Sequence, residues 1–362
     1  MVVGPEQDIK NHIVKSMTFD IEIDGSIGGG SVLRVAVPLA LGLNKSIKIT
    51  NIRGQRKKPG LRNQHLLGLT YLAEIANYSI TGNSIGSQIV TLIPNREPSG
   101  KINPKMEINT AASVSLIIQA LCNYSFTSKK NIDFEFIGGG THTNWSPNFD
   151  YVQEVTKSVF REFGLELNIE LERKGFFPKG EAVGVINIVN DVDDKRIDFK
   201  NTAVCHLKLL LCASSNLKQV KVLERQRDQF LKLYEDEYSF SIETNIDYTN
   251  TSSAGTSATI VIYYEESIPK GISILGEKGV SSEKIGKRLF EQFKLINIEE
   301  ASIDQFMSDQ IILPLALSMK GNSATIPKLT DHVKVNIDII NKILGKCIVY
   351  EETAAFVRLI RV

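Results

Sequence analysis

A chain of 362 residues has room for two or three domains, and 42% hydrophobic with 23% charged residues excludes a disordered protein. A formal net charge of +1 excludes a globally basic polyanion binder, so any nucleic-acid surface has to be local. The cysteines Cys122, Cys205, Cys212 and Cys347 lack CxxC spacing, which argues against a structural zinc or a disulfide framework and for reduced core thiols in a cytoplasmic protein.

Residues 1–16 read as a loosely held extension, without the apolar stretch of a signal peptide. No later segment has the ~18 uninterrupted apolar residues of a membrane span. Next comes IEIDGSIGGGSVLRVAVPL, a glycine run between a strand and a helix. Gly28, Gly29 and Gly30 let the backbone approach a ligand closely, and the helix start offers free N–H groups to an anion. Arg34, one turn in, is within reach of such a phosphate. A tight turn with packing glycines is the alternative.

SIKITNI then reads as a strand, RGQRKKPG as a loop, LRNQHLLGLTYLAEIAN as a helix, followed by short strands to about residue 93. Arg53, Arg56, Lys57, Lys58 and Arg62 concentrate positive charge just before that helix, where its dipole adds to it. Arginine offers phosphate oxygens a rigid fork, and Gln64 in the first turn offers a further donor. A solvated loop is the alternative, and His65 alone reads as a packed histidine. The order repeats in NIDFEF, IGGGTHTNWSP, NFDYVQEVTKSVFREFG and LELNIELE. Here Trp145 either stacks on a base or plugs the core edge.

Residues 184–274 break the pattern. GVINIVN reads as a strand, AVCHLKLLLCASS as a helix, QVKVLE as a strand and RQRDQFLKLYEDEYS as a helix, before the strands SIETNIDYT and SATIVIYYE. This predicts an inserted α/β domain. The pattern returns in SATI, PKLTD, HVKVNIDIINKILG and KCIVYEE with AAFVRLIRV. Val333, Ile337, Ile340 and Leu344 make one apolar helix face, and Gly345 stands where a helix ends. His332 falls in the first turn, behind an N-cap from Thr330 or Asp331. A helix start disfavours imidazolium and attracts phosphate, which suits a neutral, nucleophilic imidazole.

The expected class is α+β: three βαββ repeats in a pseudo-threefold large domain (17–183 and 275–362), with the small α/β domain (184–274) inserted before the third repeat.

Together these segments resemble the RNA 3'-terminal phosphate cyclase family over roughly 17–362. The most specific are EIDGSIGGGSVLR, NIRGQRKKPGLRNQHL, GGGTHTNWSPNFDY, GEKGVSSEKIG, FMSDQIILPLAL and TDHVKVNI. The resemblance implies the same repeats and insertion. It also implies ATP-dependent conversion of an RNA 3'-phosphate into a 2',3'-cyclic phosphate, through a covalent histidine–AMP intermediate on His332. By the same resemblance Arg34, Arg53, Arg56 and Gln64 match phosphate-handling positions. Gln119, Pro147, Phe306, Met307, Ser308, Asp309 and Gln310 match nucleotide-binding positions. The RNA 3' end is the implied partner, with ATP and a divalent metal, magnesium or manganese.

Two departures stand out. The family usually has GEGGGQ in the first glycine loop, its glutamate helping to hold the metal; DGSIGGGS has none. Residues 180–182 read GEA where the family tends to have three glycines. The missing glutamate favours one alternative, a weakened cyclase-like RNA-binding or ribosome-assembly protein. Against it, the non-catalytic branch lacks the histidine that is retained here. A third possibility is adenylation of another phosphorylated end, such as a 5'-phosphate.

Overall fold

The computed structural model describes residues 18–97, 105–144, 146–191, 195–200, 202–297 and 300–362. The expectations for the 1–16 extension and for Trp145 lie outside the described residues.

The architecture is α+β, with four sheets among the described residues. In the first, β1 (Ile21–Asp24) runs parallel to β2 (Ile47–Thr50), so α1 (Ser31–Gly42) forms the crossover that parallel strands require. Beyond β2 lie β4 (Val90–Pro94) and then β3 (Tyr78–Thr81), both pairs antiparallel, with α2 (Asn63–Ala76) between β2 and β3 in sequence. The second sheet repeats this order and these directions. It has β5 (Lys105–Ser113), β6 (Ile132–Gly140), β8 (Val183–Asn190) and β7 (Leu165–Arg173). Its crossover is α3 (Val114–Ser128). The helix expected over 148–164 is broken into α4 (Phe149–Tyr151), a π turn (Val152–Thr156) and α5 (Lys157–Glu162).

The fourth sheet has the order β10 (Ile242–Thr249), β9 (Val204–Ser214), β11 (Thr256–Tyr264), β12 (Lys270–Leu275). Against it pack α6 (Val222–Glu235) and α7 (Ser282–Asn297). The third sheet is β13 (Ser323–Ile326), β15 (Val357–Arg361) and β14 (Ile348–Glu352), all antiparallel. Short α8 (Ile312–Leu317) precedes β13, and α9 (Asp331–Leu344) follows it. Val333, Ile337 and Ile340 are buried on the expected face, Leu344 packs at its edge, and Gly345 ends the helix at φ +83°.

Two local expectations are corrected. AVCHLKLLLCASS is not a helix but β9, the second strand of its sheet. Leu207, Leu209 and Leu211 are buried at a period of two, and pairing with β10 and β11 overrides the helix preference of leucine. QVKVLE is not a strand. It ends a 3-10 turn (Ser215–Val220), passes Lys221 at φ +50°, and begins α6, whose Leu223, Phe230 and Tyr234 share one buried face. GVINIVN is a strand, as expected, and lies in the second sheet, paired with β6 and β7; β12 extends the fourth sheet to Leu275, and α7 packs against that sheet.

The packing forms two cores. One joins the first three sheets, with Ile47, Phe134 and Leu359 among its members. The other joins the fourth sheet to α6 and α7 through Phe230, Phe290 and Phe293. Phe306 packs against both. Cys122, Cys212 and Cys347 are buried free thiols, and Cys205 is exposed. Among the described residues no helix is long and apolar enough to cross a membrane.

Candidate active site

Three helix starts converge beside the glycine loop. Gly28 and Gly29 have φ of +82° and +63°, a left-handed backbone that favours glycine. A Cβ on Gly28 would lie 2.6 Å from Val335 Cγ1 of α9, and one on Gly30 would lie 2.6 Å from His65 Nε2 of α2. The glycines therefore let α1 pack closely against both helices, which is the packing alternative raised from the sequence.

The α9 start is capped by Thr330, whose Oγ1 accepts from Val333 N at 3.2 Å. This decides between Thr330 and Asp331 as the cap. His332 Nδ1 is 3.3 Å from Ser31 Oγ at the head of α1. One turn along α1, Arg34 Nε donates to Gln119 Oε1 at 2.8 Å, so a buried amide on α3 aims the guanidinium. Burial weakens the hold of Arg34 on its proton, and the charge of Asp309 opposes that. Burial likewise raises the carboxyl pKa of Asp309, while Arg34 and His332 act against the rise. Guanidinium, carboxyl and imidazole thus form one electrostatic group. Asn336 Nδ2 ties it to the α9 face by donating to Asp309 O at 3.1 Å.

These groups line a cleft of about 520 Å³. Of the residues expected at a nucleotide or its phosphates, Arg34, Gln119, Pro147, Phe306, Asp309, Gln310 and His332 line it. Thr143, Asn144 and Asn148 add polar groups near Pro147, and Ser273 and Leu275 of β12 close the far wall. Its size and mixed lining suit a nucleotide-sized ligand.

The family model for RNA 3'-terminal phosphate cyclase matches residues 26–349. Curated proteins named RNA 3'-terminal phosphate cyclase match as well. That of Pyrococcus furiosus is 32% identical over 90% of this chain and 94% of its own length. That of Methanothermobacter thermautotrophicus is 32% identical over 90% and 95%. That of Archaeoglobus fulgidus is 32% identical over 91% and 98%.

The chain belongs to the RNA 3'-terminal phosphate cyclase family.

Not every position expected from a cyclase lies in the cleft. Met307 and Ser308 are buried behind its wall, 1% and 2% exposed, and Ser308 Oγ donates to Asp304 O at 2.8 Å. They shape the turn that presents Phe306, Asp309 and Gln310. Gln310 Nε2 donates to Phe306 O at 2.7 Å within the same turn. Arg53 Nη1 donates to Lys58 O and Gly60 O, at 3.0 and 2.9 Å, so its fork holds its own loop. Arg56 is exposed beside Gly29, and Gln64 lines a small adjoining cavity with Arg34 and His65. Among the described residues Arg53, Arg56, Lys57, Lys58 and Arg62 make no ion pair.

In this cyclase-family chain His65, in the first turn of α2, and His142, in the second glycine loop, are both buried against protein partners. His65 is buried and Nδ1 accepts from Arg62 N at 3.1 Å. Burial first, then Arg34, Arg53 and Arg62, push its pKa down to about 3. His142 lies with Asp150 at 3.3 Å in a buried network that Lys174 extends to Asp247 of β10.

Among the described residues no group of three or more His, Cys, Asp or Glu is placed to hold a metal ion on protein ligands alone. Among the described residues Asp309 is the carboxylate on the cleft wall, and Arg34 already acts on it. Asp24 spends Oδ1 on Ser26 N at 2.9 Å. Ser31 was not singled out from the sequence. Its only signal there was its place closing the glycine run.

Proposed function

We propose that this protein is an ATP-dependent RNA 3'-terminal phosphate cyclase, a ligase-class enzyme acting through a covalent His332–AMP intermediate. The observation that carries the reading is His332 on a capped helix start, facing the cleft with Arg34 and Asp309. The curated relatives carry the cyclase name, which supports the reaction class.

In the first step a ring nitrogen of His332 bonds to the α-phosphorus of ATP as the P–O bond to the β-phosphate breaks, and pyrophosphate leaves. Arg34 and the free N–H groups of the α9 start offset the charge gathering on the phosphate oxygens. An oxygen of the RNA 3'-phosphate then attacks the AMP phosphorus, and the N–P bond breaks. Finally the ribose 2'-hydroxyl attacks the activated 3'-phosphorus, giving up its proton as AMP departs. That last step is intramolecular, so holding the ribose in place supplies much of its rate.

The three βαββ units have the same strand order, first–third–second, which supports reading them as repeats. We draw the inserted domain at 204–297, following sheet and core membership.

The test is incubation with α-labelled ATP, followed by acid. We expect acid-labile label on the protein, transferred onward by an RNA bearing a 3'-phosphate. His332→Ala should lower labelling at least 100-fold with the fold unchanged by circular dichroism, since removing an activated nucleophile costs that much or more (about 2.7 kcal/mol at 100-fold). Full labelling of His332→Ala would overturn the site. The glycine loop DGSIGGGS, without the family's usual glutamate, favours the second reading, a weakened RNA-binding relative, and that reading expects no label on the wild-type protein.

A further inference from the structure

We infer that Ser31 is a positioning residue that decides which nitrogen of His332 attacks. This rests on the covalent reading of His332 given above. Ser31 heads α1, is 1% exposed, and its hydroxyl donates to Gly28 O at 2.8 Å. A hydroxyl has one hydrogen to give. Toward His332 Nδ1, 3.3 Å away, Ser31 Oγ is therefore an acceptor. The hydrogen-bond partner of one ring nitrogen sets the state of the other. Nδ1 carries the hydrogen, and the lone pair is left on Nε2. Among the described residues Nε2 makes no hydrogen bond, and the ring lines the cleft.

The assignment balances through both transfers. As Nε2 bonds to phosphorus and the bond to pyrophosphate breaks, the ring becomes cationic without losing a proton. Its Nδ1–H is then a charge-assisted donor to Ser31, a stronger bond than before the attack. When the RNA phosphate oxygen takes the AMP, the N–P electron pair returns to Nε2 and the neutral ring regains the same tautomer. The contact between α1 and α9 holds the two groups together: the glycine loop lies against Val335, one turn beyond His332.

The full-length protein, labelled with 15N in its imidazoles, tests this without ATP. Two-bond nitrogen–proton correlations at alkaline pH report each tautomer, and the His332 signals are identified by their loss in His332→Asn. We expect the Nδ1–H form at His332, and a shift toward the Nε2–H form in Ser31→Ala. Single-turnover labelling with α-labelled ATP should be about 10- to 100-fold slower in Ser31→Ala, the range for losing a hydrogen bond to a charged group. ATP affinity should be unchanged, because the hydroxyl is committed to Gly28 and His332. An Nε2–H ring in the wild-type protein, or wild-type labelling by Ser31→Ala, would overturn the inference. An Nδ1–H ring on a wild-type protein that takes no label would sink the covalent reading and leave the positioning of the ring standing.

Discussion

At His65, burial and three neighbouring arginines act in the same direction. The folded side chain takes a proton only near pH 3, against 6.5 for an unperturbed one. Between those values the unfolded chain binds more protons than the folded one. The stability contribution is thus complete above about pH 6.5 and declines as pH falls toward 3. By pH 5 the loss is about 2 kcal/mol. His65→Gln removes the titration, so urea midpoints at pH 7.5 and pH 5 should differ less in this variant than in the parent. Equal pH dependence in the two proteins would contradict the assignment. Residue type alone shows little of this. Arg34, Arg53 and Arg56 are the same letter near glycines, Arg34 in an apolar helix stretch and the other two in a polar loop. Arg34 is set apart by Gln119, 85 residues away in sequence, and Arg53 by carbonyls of its own loop. A long-range amide leaves no local mark, which is why the partner that aims each arginine stays hidden until the chain is folded.

Among the elements, α9 was the most legible from sequence, because its apolar face, cap and terminal glycine all agree. Thr330→Ala removes the cap from Val333 N, which costs about 1 kcal/mol. The urea midpoint should fall accordingly, with an unchanged slope; no shift would mean that solvent replaces the cap at no cost. β9 was the least legible. Its Leu-rich run has the length of a short helix and the burial of a strand, and only its pairing with β10 and β11 decides. The π turn after α4 is hidden for the same kind of reason, since VQEVT carries no breaker. At Glu181 the departure from the family's glycine meets a backbone held at φ +59°, a conformation that glycine adopts without steric cost.

Across the whole molecule, a chain of His142, Asp150, Lys174 and Asp247 links the second sheet's loops to β10 of the fourth, buried at His142 and Asp150 and open to solvent at Asp247. Burial raises and the partners lower the carboxyl pKa of Asp150, with the partners winning. Lys174 is 18% exposed, with Asp150 at 3.4 Å and Asp247 at 3.0 Å. Lys174→Met leaves Asp150 with His142 as its remaining partner and should destabilise the protein by about 1.5–3 kcal/mol, the worth of a hydrogen bond to a charged group. Denaturant unfolding followed by fluorescence checks it; a change under 1 kcal/mol would show the network to be solvated. The cleft lies between elements of the two cores, with Gln119 and His332 on α3 and α9 of the larger and Ser273 and Leu275 on β12 of the smaller. A nucleotide bound there is a strut between two bodies, and occupancy and docking become linked quantities. At a hundred times its dissociation constant a ligand adds about 2.7 kcal/mol to whatever holds the bodies in register. On the reading proposed above, saturating ATP would therefore make the two halves unfold as a single cooperative unit, and its removal would let the smaller one loosen first.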